Sequence, residues 1–301
     1  MDHLIRGVGR NATLRVASVV TTAVTAEAAQ RHHLSPPAAC AVGRALTSGL
    51  LLATLTKGGE RVTVQLVGDG PIGAITVDAS VDDGRGNVRG YAARPDVGPS
   101  HVRGRLRVAD TLGRKGVVNV LRDLGLRERY QGQIALTTGE IDEDLEAYLR
   151  TSEQVPSALG CEVVLDGDGA VIAAGGVLVQ SLPGSDPDSV REVQHALRSG
   201  ELYRLLAGGV VHPLELATRI SGLDDFEVLG EDRPVRFDCR CSQDRINSML
   251  SLLTTVDLDE LISDGKPAEI ICNFCNTVYR VERPELERIR ALVAGGPRQS
   301  N

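Results

Sequence analysis

Four of the six cysteines in this 301-residue chain fall within one 37-residue stretch, as Cys239-Arg240-Cys241 and Cys272-Asn273-Phe274-Cys275. Two close thiol pairs brought together by a fold are the usual recipe for a tetrahedral four-cysteine zinc site, in which soft thiolates hold a redox-inert metal. Cys239, Cys241, Cys272 and Cys275 are therefore the candidate metal ligands, and zinc is the candidate ion. Cys40 and Cys161 stand apart and read as buried small apolar side chains. A disulfide framework is a weak reading for a chain of this length with no recognisable secretion signal.

The neighbourhood of the thiols has the punctuation of a small domain. Ser242 is a good N-cap, and Ile246, Met249, Leu250 and Leu253 follow at helical spacing, so Cys241 sits just ahead of a helix N-terminus. The dipole and free amides there favour a thiolate. Residues 269–271 and 277–281 read as two short strands joined by the Cys272–Cys275 knuckle, and Pro284 opens a last helix with Leu286, Ile289 and Leu292. A unit of roughly 60 residues has a marginal apolar core, so its metal carries the stability. The first pair is C-x-C, where zinc ribbons usually have C-x-x-C. In extended chain its Cα atoms lie about 6.6 Å apart, at the far edge of disulfide reach, so an oxidised Cys239–Cys241 bond would be strained and easily reduced. Spacing alone leaves both a structural site and a redox switch open.

Upstream, Ser35-Pro36-Pro37 opens a buried helix expected to end at Gly58-Gly59. Alternating runs at 62–67, 72–77, 87–93, 102–108 and 133–138 read as strands, 140–149 as an amphipathic helix, and 162–165 and 171–180 as strands flanking a turn at Asp166-Gly167-Asp168-Gly169. Strands interrupted by helices place the chain in the α+β class. Proline, glycine and aspartate at 182–188 mark a boundary. Beyond it Val190, Val193, Leu197, Leu202, Leu205 and Leu206 keep helical spacing interrupted by Gly200 and stopped at Gly208-Gly209. The expected organisation is a mixed α/β body at 1–181, a metastable helical linker at 182–238 and a small four-cysteine zinc-binding domain at 239–301. Of the net charge of −7, the linker holds −5, with 6 basic and 11 acidic side chains. Arg103, Arg105 and Arg107 alternate with Val102, Leu106 and Val108, which gives one strand face a basic character; the arginines read either as solvating an outer face or as a docking surface for the acidic linker.

These residues resemble the 33 kDa chaperonin family of redox-regulated bacterial heat-shock chaperones. The two cysteine pairs, with Tyr279 four residues after Cys275, match its zinc motif. Leu4-Ile5-Arg6-Gly7, Arg31-His32-His33-Leu34-Ser35-Pro36, Gly68-Asp69-Gly70-Pro71, Asn87-Val88-Arg89-Gly90-Tyr91, Tyr148 with Ser152-Glu153-Gln154-Val155-Pro156-Ser157, and Gly175-Gly176-Val177 with Gln180 and Leu182-Pro183-Gly184 extend the likeness to the linker. The resemblance implies a non-enzymatic, ATP-independent holdase for unfolding client proteins, inactive when reduced and zinc-bound. It also implies that oxidation forms Cys239–Cys241 and Cys272–Cys275 disulfides, expels zinc and unfolds the C-terminal unit and linker. A homodimer in the oxidised state and reductants such as thioredoxin or glutaredoxin are implied partners.

Other readings are weaker. A pI near 5.5 and only 8 aromatic residues argue against nucleic acid, although residues 85–115 hold eight basic side chains and keep a zinc-ribbon RNA- or ribosome-binding protein as the alternative. The apolar stretch 45–56, between Arg44 and Lys57, is 12 residues long and too short for a bilayer. With Asp2 at the start and no apolar leader core, a cytoplasmic location is expected. His32-His33 read as structural, Asp166 to Gly169 as a turn rather than a calcium loop, and no hydrolase or nucleotide-loop motif is present.

Overall fold

The computed structural model describes all residues except 10, 12, 57–59, 83, 100–103, 124–129 and 296–301. It divides into two units, Met1–Asp238 and Cys239–Asn301. In the first, the hairpin β1 (His3–Gly9) and β2 (Leu14–Val20) leads to α1 (Thr22–His32) and α2 (Pro36–Ala53). There follow β3 (Arg61–Gly68), β4 (Ala74–Val81), β5 (Gly86–Ala92), the single turn α3 (Ala109–Leu112), β6 (Gly116–Asp123) and β7 (Tyr130–Ala135). Helix α4 (Ile141–Tyr148) runs into a π-helical turn at Leu149–Glu153, and β8 (Ser157–Leu165) and β9 (Val171–Ser181) form a long hairpin. Helices α5 (Pro187–Arg198), α6 (Glu201–Ala207) and α7 (Pro213–Ser221) precede the short β10 (Glu227–Val228) and β11 (Arg233–Phe237).

The strands join in one sheet, ordered β7-β6-β3-β4-β5-β11-β1-β2-β9-β8, with β10 pairing β1 to the side. Strand β11 is the seam: it runs parallel to β5 and antiparallel to β1. Helix α2 is the spine of the unit, packed against β3, β4 and β5 as well as β2, β8 and β9. It is buried along nearly its whole length, which its Ala, Gly and Leu composition permits. A Cβ on Gly43 would lie 2.4 Å from Thr25 Cγ2 and one on Gly49 2.7 Å from Val77 Cγ1, so both glycines let neighbouring elements approach.

Burying α2 also buries a charge. Arg44 is 1% exposed, and its Nη1 and Nη2 donate to Glu140 Oε2 (2.7 Å) and Asp142 Oδ1 (2.5 Å). Asp142 Oδ2 in turn accepts the Cys161 amide. Cys40 and Cys161 are fully enclosed, and burial pushes the Cys40 thiol up to about 12 and the Cys161 thiol higher still, so both are inert apolar filler as expected.

Several boundaries differ from the sequence reading. Residues 104–108 are not a strand: Gly104 takes φ +71°, the chain then runs irregularly into α3, and residues 102 and 103 lie outside the described residues. No basic strand face exists among the described residues there, because Arg105 turns to the buried carboxylate of Glu162. Helix α2 stops at Ala53, ahead of Gly58-Gly59, which lie outside the described residues. The 72–77 strand begins at Ala74, after the turn at Gly70 to Gly73, and the 133–138 strand is shifted to Tyr130–Ala135. The turn at Asp166 is a hairpin turn, its Oδ1 taking the amides of Asp168 and Ala170.

Helices α5 to α7 lay Val190, Val193, Leu197, Leu202, Leu205, Leu206, Leu216 and Ile220 into one cluster with Val16 of β2, Ala158 of β8 and Val177 and Val179 of β9. Polar anchors of α5 include Gln194, which donates to Glu146 Oε1 and to the Ser157 carbonyl, and Arg198, which pairs with Glu146.

The second unit contains α8 (Gln243–Leu250), α9 (Thr255–Ser263), the hairpin β12 (Ala268–Ile271) and β13 (Val278–Val281), and α10 (Arg283–Gly295). Ser242 caps α8 by accepting the Arg245 amide, and Thr254 with Asp257 forms a capping box on α9. Among the described residues its buried core cluster is Ile246, Leu250, Leu258, Val281, Leu286 and Ile289, with partly buried side chains such as Leu253, Leu261 and Ile270 packed against it. Among the described residues of the chain, no helix is long and apolar enough to cross a membrane.

Candidate metal centre

The four cysteines come from two loops. Cys239 and Cys241 belong to the extended segment that enters α8, and Cys272 and Cys275 to the turn between β12 and β13. That turn is built by backbone chemistry: the Cys275 and Asn276 amides donate to the Cys272 carbonyl, the Cys272 amide donates to the Thr277 carbonyl, and Asn276 takes φ +57°, a conformation asparagine tolerates. The result aims amides inward. Those of Phe274 and Cys275 point at Cys272 Sγ, and that of Thr277 points at Cys275 Sγ.

All four Sγ atoms lie within 4.8 Å of one another, with Cys239–Cys272 at 3.7 Å and Cys241–Cys275 at 3.3 Å. A tetrahedron with metal–sulfur bonds of about 2.3 Å has edges of about 3.8 Å, so the donor set fits one tetrahedral ion of zinc type. Among the described residues this is the only such group of three or more His, Cys, Asp or Glu ligand atoms.

The electrostatics differ from thiol to thiol. Partial burial raises Cys272 and pushes Cys241 up to about 12, against the Tyr279 hydroxyl, which donates to Cys241 Sγ at 2.9 Å. Burial also opposes ionisation of Cys275, but Thr277, whose Oγ1 stands 3.2 Å away, and the Cys241 and Cys239 sulfurs outweigh it and bring this thiol down to about 7. Cys275 is thus more readily ionised without a metal than Cys241 or Cys272, and it is the most buried of the four. Sequence reasoning marked Tyr279 but not its bond to Cys241, and it missed Thr277 and the inward amides, whose only trace is the short span between Cys272 and Thr277.

Tyr279→Phe removes a donor that orients Cys241 without touching a ligand. Loss of such supporting bonds typically weakens metal binding about 10–100-fold, so chelator competition is expected to show zinc held at least about tenfold less tightly. Unchanged affinity would reduce Tyr279 to a packing residue.

A sheet body wrapped on a buried helix and followed by a compact unit with four converging thiols defines a two-unit α+β protein with a cysteine metal centre. The chain belongs to the Hsp33 family: the profile described as "Hsp33 protein" matches residues 2–282. It is 36% identical over 293 residues to the 33 kDa chaperonin of Geobacillus kaustophilus, covering 97% of this chain and 98% of that one. It is 41% identical over 293 residues to the 33 kDa chaperonin of Symbiobacterium thermophilum, covering 96% and 97%. The crystal structure of the 33 kDa chaperonin (heat shock protein 33 homolog) of Thermotoga maritima superposes with a TM-score of 0.85 at 30% identity, over 98% of this chain and 99% of that one.

Proposed function

We propose that this protein is a cytoplasmic, ATP-independent holdase that captures unfolding proteins under heat and oxidative stress and is switched by the oxidation state of Cys239, Cys241, Cys272 and Cys275. The observation that carries the reading is the convergence of four sulfurs in a chain matched almost end to end by 33 kDa chaperonins. Zinc, held by these four thiolates in the reduced state, supplies a redox-inert cross-link between the two cysteine loops.

Oxidation removes that cross-link. Each disulfide forms as two thiolates give two electrons to a peroxide, whose O–O bond breaks and leaves as two waters after taking two protons. Two disulfides, Cys239–Cys241 and Cys272–Cys275, consume two peroxides, and sulfur in a disulfide is a poor metal donor. With so small a core, residues 239–301 then lose their order, and the linker at 182–238 follows. Detachment of α5 to α7 bares Val16, Ala158, Val177 and Val179, an apolar surface suited to exposed segments of clients. The oxidised protein associates as a homodimer, and thioredoxin- or glutaredoxin-type thiols return the electrons that reset it.

The RNA-binding alternative loses support from its own basic stretch, since Arg89 pairs with Asp78 and Arg105 with Glu162. The test is light scattering of heat-denatured malate dehydrogenase without nucleotide, with protein first reduced and zinc-loaded, then treated with peroxide. Suppression is expected only after oxidation, together with loss of four thiols and one zinc. Equal activity in both states rejects the switch, and salt-sensitive RNA binding by the reduced form favours the alternative.

A further inference from the structure

The two ends of the large sheet are finished in opposite ways. At one end, β8 is buried, and three of its outward backbone groups are capped by side chains. Glu146 accepts the Leu159 amide (3.3 Å), Asp142 accepts the Cys161 amide (3.2 Å), and Gln194 donates to the Ser157 carbonyl (2.9 Å). At the other end stands β7, paired among the described residues only with β6. The Leu136 amide donates to the Gly116 carbonyl, which fixes the alternation: Tyr130, Gly132 and Ile134 turn their backbone groups to β6, and Gln131, Gln133 and Ala135 turn theirs outward. All three outward residues are exposed, and among the described residues none of their amides or carbonyls has a partner.

Edge strands are normally blunted by charge, proline or a bulge, because an open edge recruits other chains. The sequence of β7, Tyr-Gln-Gly-Gln-Ile-Ala, contains no charge and no proline, and its pairing with β6 runs without a bulge. Gln133 donates to Asn119, which donates to Gln65, so a neutral amide ladder runs across the strands at this end.

We propose that the outer edge of β7 is a client-binding element, which takes an extended segment of an unfolding polypeptide as an additional strand. The inference rests on the holdase reading above. Recognition through backbone amides and carbonyls is independent of client sequence, and a strand without charged side chains discriminates against no client charge, which suits a protein that must accept many partners. Three outward residues give a weak contact alone. The edge therefore acts as a second foothold for a client already held on the apolar surface uncovered by α5 to α7, where its effective concentration is high.

The test uses the oxidised full chain and residue-resolved amide exchange, with reduced carboxymethylated α-lactalbumin as the unfolded probe. Binding is expected to slow exchange at Gln131, Gln133 and Ala135 and to leave Gly132 and Ile134 unchanged. Gln133→Pro removes one outward donor and none that β6 uses, so suppression of malate dehydrogenase aggregation is expected to fall about tenfold in potency, whereas Gln133→Ala, which keeps the amide, stays at the wild-type level. Unaltered exchange at the three amides, or equal activity of the two variants, overturns the proposal. Protection that grows with protein concentration in the absence of the probe also overturns it, because the edge would then pair with a second copy. If wild-type protein fails to suppress aggregation in either redox state, the holdase reading itself fails, a result separate from an active wild type with an idle edge.

Discussion

Chelation of zinc from the reduced protein is expected to make residues 239–301 fully susceptible to trypsin within minutes while the body at 1–181 stays resistant. Among the described residues the unit's apolar cluster has six buried side chains, with partly buried ones around them, to order roughly 60 residues, and domains of that size seldom reach more than about 3–5 kcal/mol from an apolar core alone. Structural zinc contributes an apparent ~10–16 kcal/mol, larger than the whole margin, so its removal reverses the sign of stability rather than trimming it. Its surface ion pairs, such as Arg290–Asp259 and Arg280–Glu269, join exposed groups and cannot compensate. Cys272→Ser should reproduce the chelated state without chelator, and added zinc should restore order to the wild type but not to the variant. Early cleavage at Arg245, Arg280 and Arg288 is the readout. Equal proteolysis with and without zinc would show that the unit stands on its own packing and would remove the physical basis of the switch.

Arg44→Met is expected to destabilise the body by about 3–5 kcal/mol, a large share of the total for a domain. Methionine fills much of the volume, so a cavity is a small part of the cost. The damage comes from Glu140 and Asp142, which lose the guanidinium that both face within the protein. The double variant Arg44→Met, Asp142→Asn separates charge from volume, because asparagine keeps an oxygen for the Cys161 amide and carries no charge. Urea unfolding should then recover at least about 1 kcal/mol, and additive losses in that cycle would assign Arg44 a packing role only.

The sequence reading succeeded where local chemistry decides structure. Ser242 caps α8, Gly200 in a left-handed conformation separates α5 from α6, and Asp166 closes the β8–β9 turn. All are short-range events. It failed at residues 104–108, where alternation of apolar and basic residues imitates a strand, because the tie between Arg105 and buried Glu162, 57 residues away in sequence, overrides the local pattern. Strand β11 was also invisible: five residues whose partners are His3, Leu4 and Gly86 to Val88 carry no local sign of a place in mid-sheet. At the metal centre the ligands were legible from spacing. The bonds that tune them were not, since Tyr279 reaches Cys241 across 38 residues and the inward amides depend on backbone geometry. The acids of α4 carry no local sign of their task, which is set by tertiary contact: Asp142 and Glu146 serve as caps for a strand edge.

The seam formed by β11 bears on how the molecule is made. The strands from β3 to β7 and those of β1, β2, β8 and β9 are all synthesised before residue 182, yet the ladder between the two groups passes through Arg233–Phe237 alone. During translation the sheet must wait as two separate halves on a shared helix until the ribosome has released that late segment. The polypeptide that closes the gap is followed within two residues by Cys239, so the sheet is completed just as the first of the four converging sulfurs emerges.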